Sequence, residues 1–170
     1  MNPSALKIID STTKDQSGEL LGRAICCLRQ GQNAQAFSLL SAQEEKVNPA
    51  AVFALALCYL RAGDFSAAVP CLEQALRLAK SLPAARPHAA ENTSTYIALY
   101  QGQLEAQFYL EPMDADFCTL FPREAERIIL LALIHVYSKQ GMEEKARQLS
   151  SGLSGAVFEQ YKKHLFDKAG

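Results

Sequence analysis

Four glycines recur in one setting along this chain: Gly31, Gly63, Gly102 and Gly141. Each follows a polar or small residue that ends an apolar stretch, as in Leu28-Arg29-Gln30-Gly31 and Leu60-Arg61-Ala62-Gly63. Three of them are followed five residues later by an alanine, namely Ala36, Ala68 and Ala146. The glycines are 32, 39 and 39 residues apart. A period of that size marks stacked helical hairpins, each too small to bury its apolar face alone. The expected fold is therefore an all-α solenoid of stacked antiparallel hairpins.

At 170 residues the chain has the length of one domain with a real core. Its 49% hydrophobic and 21% charged content is that of a soluble globular protein. A net charge of −1 argues against a nucleic-acid partner, which calls for a basic patch or stripe. Lys162, Lys163 and Lys168 cluster near the C-terminus among Phe158, Tyr161 and Phe166, as on a solvated helix face. The longest apolar stretch, Ile128–Tyr137, is about half of the roughly 20 residues that span a bilayer. Met1–Asp10 has neither the charged start nor the long apolar run of a signal peptide. The expectation is a cytoplasmic protein without membrane contact.

The helical pattern is clearest around Gly63. Val52, Leu55, Ala56 and Tyr59 form one apolar stripe of period 3.6. Asn48-Pro49 supplies an N-cap and a first-turn proline. Gly63 can end that helix at positive φ, and Asp64 can cap the next. Phe65, Ala68, Leu72, Ala75 and Leu76 continue a second stripe toward Lys80, with Pro70 expected to bend or loosen its first turns.

This stretch resembles a tetratricopeptide repeat. The family pattern falls on Val52, Leu55, Ala56, Tyr59, Gly63, Phe65, Ala68, Leu72 and Ala75, with valine for the usual leading tryptophan and Lys80 for the closing proline. The same frame takes in Leu20, Ala24, Cys27, Gly31, Ala36 and Leu40, with Arg23 in place of the leucine and Asn33 in place of the turn aromatic. It returns with Leu130, Leu133, Tyr137, Gly141 and Ala146, where Ile134 is larger than the expected small residue and Glu143 replaces the aromatic. The resemblance implies repeats at about 17–48, 49–81 and 123–152.

A degenerate fourth element covers 88–111. It is either a hairpin with helices near 88–100 and 103–111, which the equal glycine spacings favour, or one helix along Tyr96, Tyr100, Leu104 and Phe108. Leu82–Pro87 reads as a loop. Glu111–Pro122 is a further break carrying Met113, Phe117, Cys118, Leu120 and Phe121. Residues 155–168, with Val157, Phe158, Tyr161 and Leu165 on one face, are expected to cap the stack. Residues 1–16 form a flexible N-terminal segment or fold back on the groove.

No constellation for chemistry emerges. His88, His135 and His164 are far apart and lack metal-ligand spacing. Cys26, Cys27, Cys58, Cys71 and Cys118 form no CxxC pair and read as small hydrophobes. Asp114 and Asp116 lack the glycine of a calcium loop. No cofactor, metal or catalytic residue is expected.

The resemblance implies instead a concave groove lined by the first helix of each repeat. Its positions are Leu21, Ile25, Leu28 and Arg29, then Phe53, Leu57, Leu60 and Arg61, then Leu131, His135 and Lys139. Apolar residues stand where the carboxylate clamp of chaperone-binding relatives needs polar donors. The groove is thus expected to be apolar, edged by Arg29, Arg61 and Lys139. Three coverings are open: a partner segment, the N-terminal residues Leu6, Ile8 and Ile9, or a second copy forming a homo-oligomer; if instead the stack is tightly curved or the central insertion fills the concavity, these residues are core. The leading functional expectation is an adaptor that binds a protein or peptide partner. A dedicated chaperone, like those of type III secretion translocators, is the alternative, and a cysteine- or metal-dependent enzyme the third reading.

Overall fold

The computed structural model describes residues 17–42, 48–83 and 108–153, and every regular element among them is helical. Residues 17–29 form α1. It is followed by α2 (Asn33–Ser41), α3 (Pro49–Arg61) and α4 (Phe65–Ser81). After a 3₁₀ turn at Phe108–Leu110 come α5 (Ala115–Leu120), α6 (Pro122–Lys139) and α7 (Glu143–Ser150).

Three tight turns make the pairs α1–α2, α3–α4 and α6–α7, and all three close in the same way. Gly31, Gly63 and Gly141 have φ of 76°, 78° and 71°. The glycine N–H donates to the carbonyl three residues back, and the next N–H donates to the carbonyl five residues back. For Gly63 these are Leu60 at 3.0 Å and, from Asp64, Tyr59 at 2.9 Å. Gly31 and Gly141 repeat both bonds. This is the Schellman closure, which satisfies orphan carbonyls only if the glycine position is left-handed. A Cβ added at Gly63 would meet nothing within 4 Å, so its cost is backbone strain alone. Gly63→Ala is expected to destabilise the fold by about 1–2 kcal/mol in a urea titration.

The second helix of each pair begins close to its alanine. Ala36, Ala68 and Ala146 are all 0% exposed. Two helices approach closely only where a side chain is nearly absent, which is why these positions are small. Side-chain caps fix the helix starts: the Asn48 side chain accepts from the Ala50 N–H at 2.9 Å, and Asp64 from the Ala67 N–H at 2.9 Å. α4 runs from Phe65 to Ser81 with Pro70 inside it. Pro70 and Ser66 both lie on the exposed side, so the Ser66 carbonyl that loses its bond can turn to water.

The pairs stack in sequence. α2 packs on α3, α3 on α4, α4 on α6 and α6 on α7. α4 therefore touches both α3 and α6, and the stack is continuous without residues 84–107. A polar tie joins the first two pairs: the Arg61 guanidinium donates to the Leu28 carbonyl at the end of α1 and to Asn33 Oδ1 at 3.3 Å. Asn33, the residue that replaces the turn aromatic, thus serves as a partner for the next pair. Another tie joins the last two, where the Tyr137 hydroxyl donates to Glu73 Oε1 at 3.0 Å.

Residues 108–120 depart from the expectation of an irregular break. Met113 and Cys118 are buried, and the six-residue α5 forms between the two prolines. Asp114 caps it, accepting from the Phe117 N–H at 2.7 Å. The helix expected to reach residue 111 does not do so, since 108–110 are a 3₁₀ turn. Pro112 disfavours helical backbone at Glu111. The N-terminal segment 1–16, the Gly102 element up to 107 and the capping helix 155–168 lie outside the described residues.

Candidate partner-binding face

The first helices of the three pairs, α1, α3 and α6, carry all the expected groove residues. The structure brings their apolar members into one core. Leu21, Ile25, Leu28, Phe53, Leu57 and Leu131 are all at most 5% exposed. Leu60 and His135 are half-buried, while Arg29 and Lys139 are exposed. α3 shows most plainly what this means. Every residue from Pro49 to Cys58 is buried, so the helix is enclosed on all sides rather than presenting an open stripe.

Part of the cover is the chain's own central segment. α5 packs against both α3 and α6, and the 3₁₀ turn packs against α6. Tyr109, Met113 and Cys118 are 1%, 6% and 1% exposed and share a core cluster with Phe53, Leu57 and Leu131. Polar contacts between described residues help fasten the segment. The Tyr109 hydroxyl lies 3.3 Å from His135 Nδ1, their rings 5.8 Å apart. Glu111 sits 3.8 Å from the Arg61 guanidinium. Arg61, expected at the groove edge, thus bridges α1, α2 and this segment. The Ser138 hydroxyl oxygen, one helical turn from His135, is buried without a hydrogen-bond partner among the described residues.

Among the described residues the cover seen is the central insertion, the case in which these residues are core. The signal for it was present in Asp114, which can cap a short helix, and in the apolar content from Met113 to Phe121. Periodicity could not reveal it, because six residues are too few to show a helical stripe.

Burial pushes His135 below its usual pKa, and the Lys139 charge acts in the same direction. The unfolded histidine keeps its ordinary value near 6.5. As pH falls through that value the unfolded chain takes up a proton that the folded chain resists, so stability falls with pH. The stability lost between pH 7.5 and pH 5.5 is expected to be smaller in His135→Gln than in the parent, read from urea midpoints.

The thiols do not form a reactive site. Burial pushes Cys58 up to about 11 and Cys118, beside Asp114, up to about 12, so both are protonated at neutral pH. Cys26 is exposed. An alkylating reagent is expected to modify Cys26 in the folded chain, well before Cys58 or Cys118. Peptide mass mapping at successive times would show it, and early modification of Cys58 would contradict the packing of α3. Among the described residues, no three His, Cys, Asp or Glu side chains are grouped to hold a metal ion. None of the described helices is long and apolar enough to cross a membrane.

A cavity of about 470 Å³ opens between α4, α6 and α7, with Leu76, Leu133 and Leu149 in its lining. Tyr137 and Lys145 also line it, the lysine ammonium 5.4 Å from the tyrosine ring centroid.

Residues 49–82 match the family model of the tetratricopeptide repeat. That span covers α3, the Gly63 turn and α4, which are the elements with the clearest pattern. Comparison with curated proteins and with solved structures gave no match.

Proposed function

We propose that this chain is a non-enzymatic, cytoplasmic protein–protein interaction adaptor, with its three described hairpins acting as tetratricopeptide-type repeats. The partner segment is received on the side of α1, α3 and α6. The observation that carries this reading is the cis occupation of that side: the α3–α6 surface already holds a stretch of polypeptide through buried anchors and polar contacts. A stacked helical scaffold with such a surface is built for holding peptide, and helix-in-groove recognition has these elements. The matched repeat at 49–82 supports the scaffold. Five free cysteines are in keeping with a reducing compartment.

Exposed residues offer the test, since Arg29 and Lys139 edge the proposed side and Arg77 lies on α4. A photo-crosslinking amino acid is placed at each in turn, in the intact chain in its native cell. One and the same protein captured from positions 29 and 139, and not from 77, is the expected result. Capture from 77 alone would overturn the reading. If the captured protein is insoluble without this chain, the adaptor is a dedicated chaperone.

A further inference from the structure

We infer that residues 108–120 are a displaceable internal ligand, standing in for a partner peptide that presents an aromatic hydroxyl, a carboxylate two residues later and an apolar side chain two residues after that. The inference rests on the partner-binding reading above and specifies what that partner looks like. Three observations carry it.

The first is the form of the contact. Tyr109, Glu111 and Met113 alternate along the segment and engage different parts of the stack. The tyrosine hydroxyl meets His135 on α6, the glutamate meets Arg61 on α3, and Met113 is buried. A few deep anchors with one charge pair at the edge is how short segments are held by a receptor surface. Charge complementarity fixes the sign: the receptor presents Arg61, so the incoming segment must bring a carboxylate.

The second is separability. α4 packs directly on both α3 and α6, so the stack does not need 108–120 to be continuous. The third is that, beside its buried anchors, the segment has a lightly held outer edge. α5 has only six residues, too few to be stable alone. The Glu111 side chain is 59% exposed, and such an ion pair contributes little. Leu120 at the end of α5 is 51% exposed. Without an occupant, the parts of α3 and α6 that α5 covers would be open apolar surface of the kind that associates indiscriminately. An internal occupant prevents this, and a partner making the same contacts replaces it at small net cost.

The test uses the intact chain and reads Cys118 and Cys58 separately by thiol labelling and mass spectrometry. The probe is a synthetic peptide of residues 107–121 with serine for Cys118. Cys118 is expected to label about tenfold or more faster than Cys58, because the segment opens without the stack. Glu111→Lys, which sets two cations together, should raise the Cys118 rate severalfold and leave Cys58 unchanged. Tyr109→Phe, which keeps the ring and removes the hydroxyl, should act in the same direction. The peptide should bind Glu111→Lys more tightly than the parent, and a peptide carrying lysine for glutamate should bind more weakly than the unaltered peptide. Equal labelling of Cys118 and Cys58 in the parent and both variants would overturn the proposal, making the segment a fixed part of the core. Opening without peptide binding would overturn it as well. Partner capture from positions 29 and 139 is decided independently, so failure of the internal ligand and failure of the adaptor reading remain distinct.

Discussion

Phe53→Ala is expected to destabilise the chain by about 3–5 kcal/mol, the cost of removing a fully enclosed phenylalanine and leaving a cavity. Phe53 is 0% exposed, in the middle of a helix buried on all sides from Pro49 to Cys58. Domains of this size are stable by roughly 5–15 kcal/mol, so the loss is a large share of the total. Urea denaturation followed by circular dichroism measures it. A loss below about 1 kcal/mol would mean that Phe53 lines an open groove after all. The same burial changes what a charge at this position reports. Phe53→Asp or Leu57→Asp, natural choices for disrupting an open groove, would bury an unpaired carboxylate and test folding instead of binding.

The second large effect is at the helix crossing. Ala68→Leu is expected to cost about 1–3 kcal/mol by overpacking, because Ala68 is 0% exposed on α4, which packs on α3. Ser66→Leu, two residues earlier on the exposed side of the same helix, is the control and should lie within about 0.5 kcal/mol of the parent. Similar losses at both positions would show that the crossing is not the constraint. A destabilised Ala68→Leu beside an unaffected Ser66→Leu ties the recurrent alanine to hairpin geometry.

The two substitutions also mark what the sequence could and could not say. Glycine followed five residues later by alanine is a local signal, because a left-handed turn and a close crossing each demand one residue type. Gly31, Gly63 and Gly141 accordingly close the same turn, and Ala36, Ala68 and Ala146 are all buried. The stripe Val52, Leu55, Ala56, Tyr59 was likewise legible from its period. The opposite side of α3 was not. Phe53 and Leu57 are apolar whether they meet a partner, a second copy or the chain itself, and no periodicity distinguishes these. The answer depends on a long-range contact, made by Glu111 and α5 across more than forty residues of chain. Pro112 and Pro122 correctly excluded a continuous helix there, but two prolines still leave room for the six residues that Asp114 caps. Arg61 shows the same limit. Its charge marked it as an edge residue, whereas its partners Leu28, Asn33 and Glu111 come from three other parts of the chain.

Contact between Tyr109 and His135 in solution is the most direct measure of whether residues 108–120 lie on the proposed partner-binding face. Their ring centroids lie 5.8 Å apart, within reach of the nuclear Overhauser effect between ring protons. With both side chains assigned in the partner-free protein, cross-peaks between the two rings are expected, and they should vanish on addition of a partner that displaces residues 108–120. If both rings are assigned and no cross-peak joins them in the partner-free protein, the segment does not lie on α6, and the self-occupied face is contradicted.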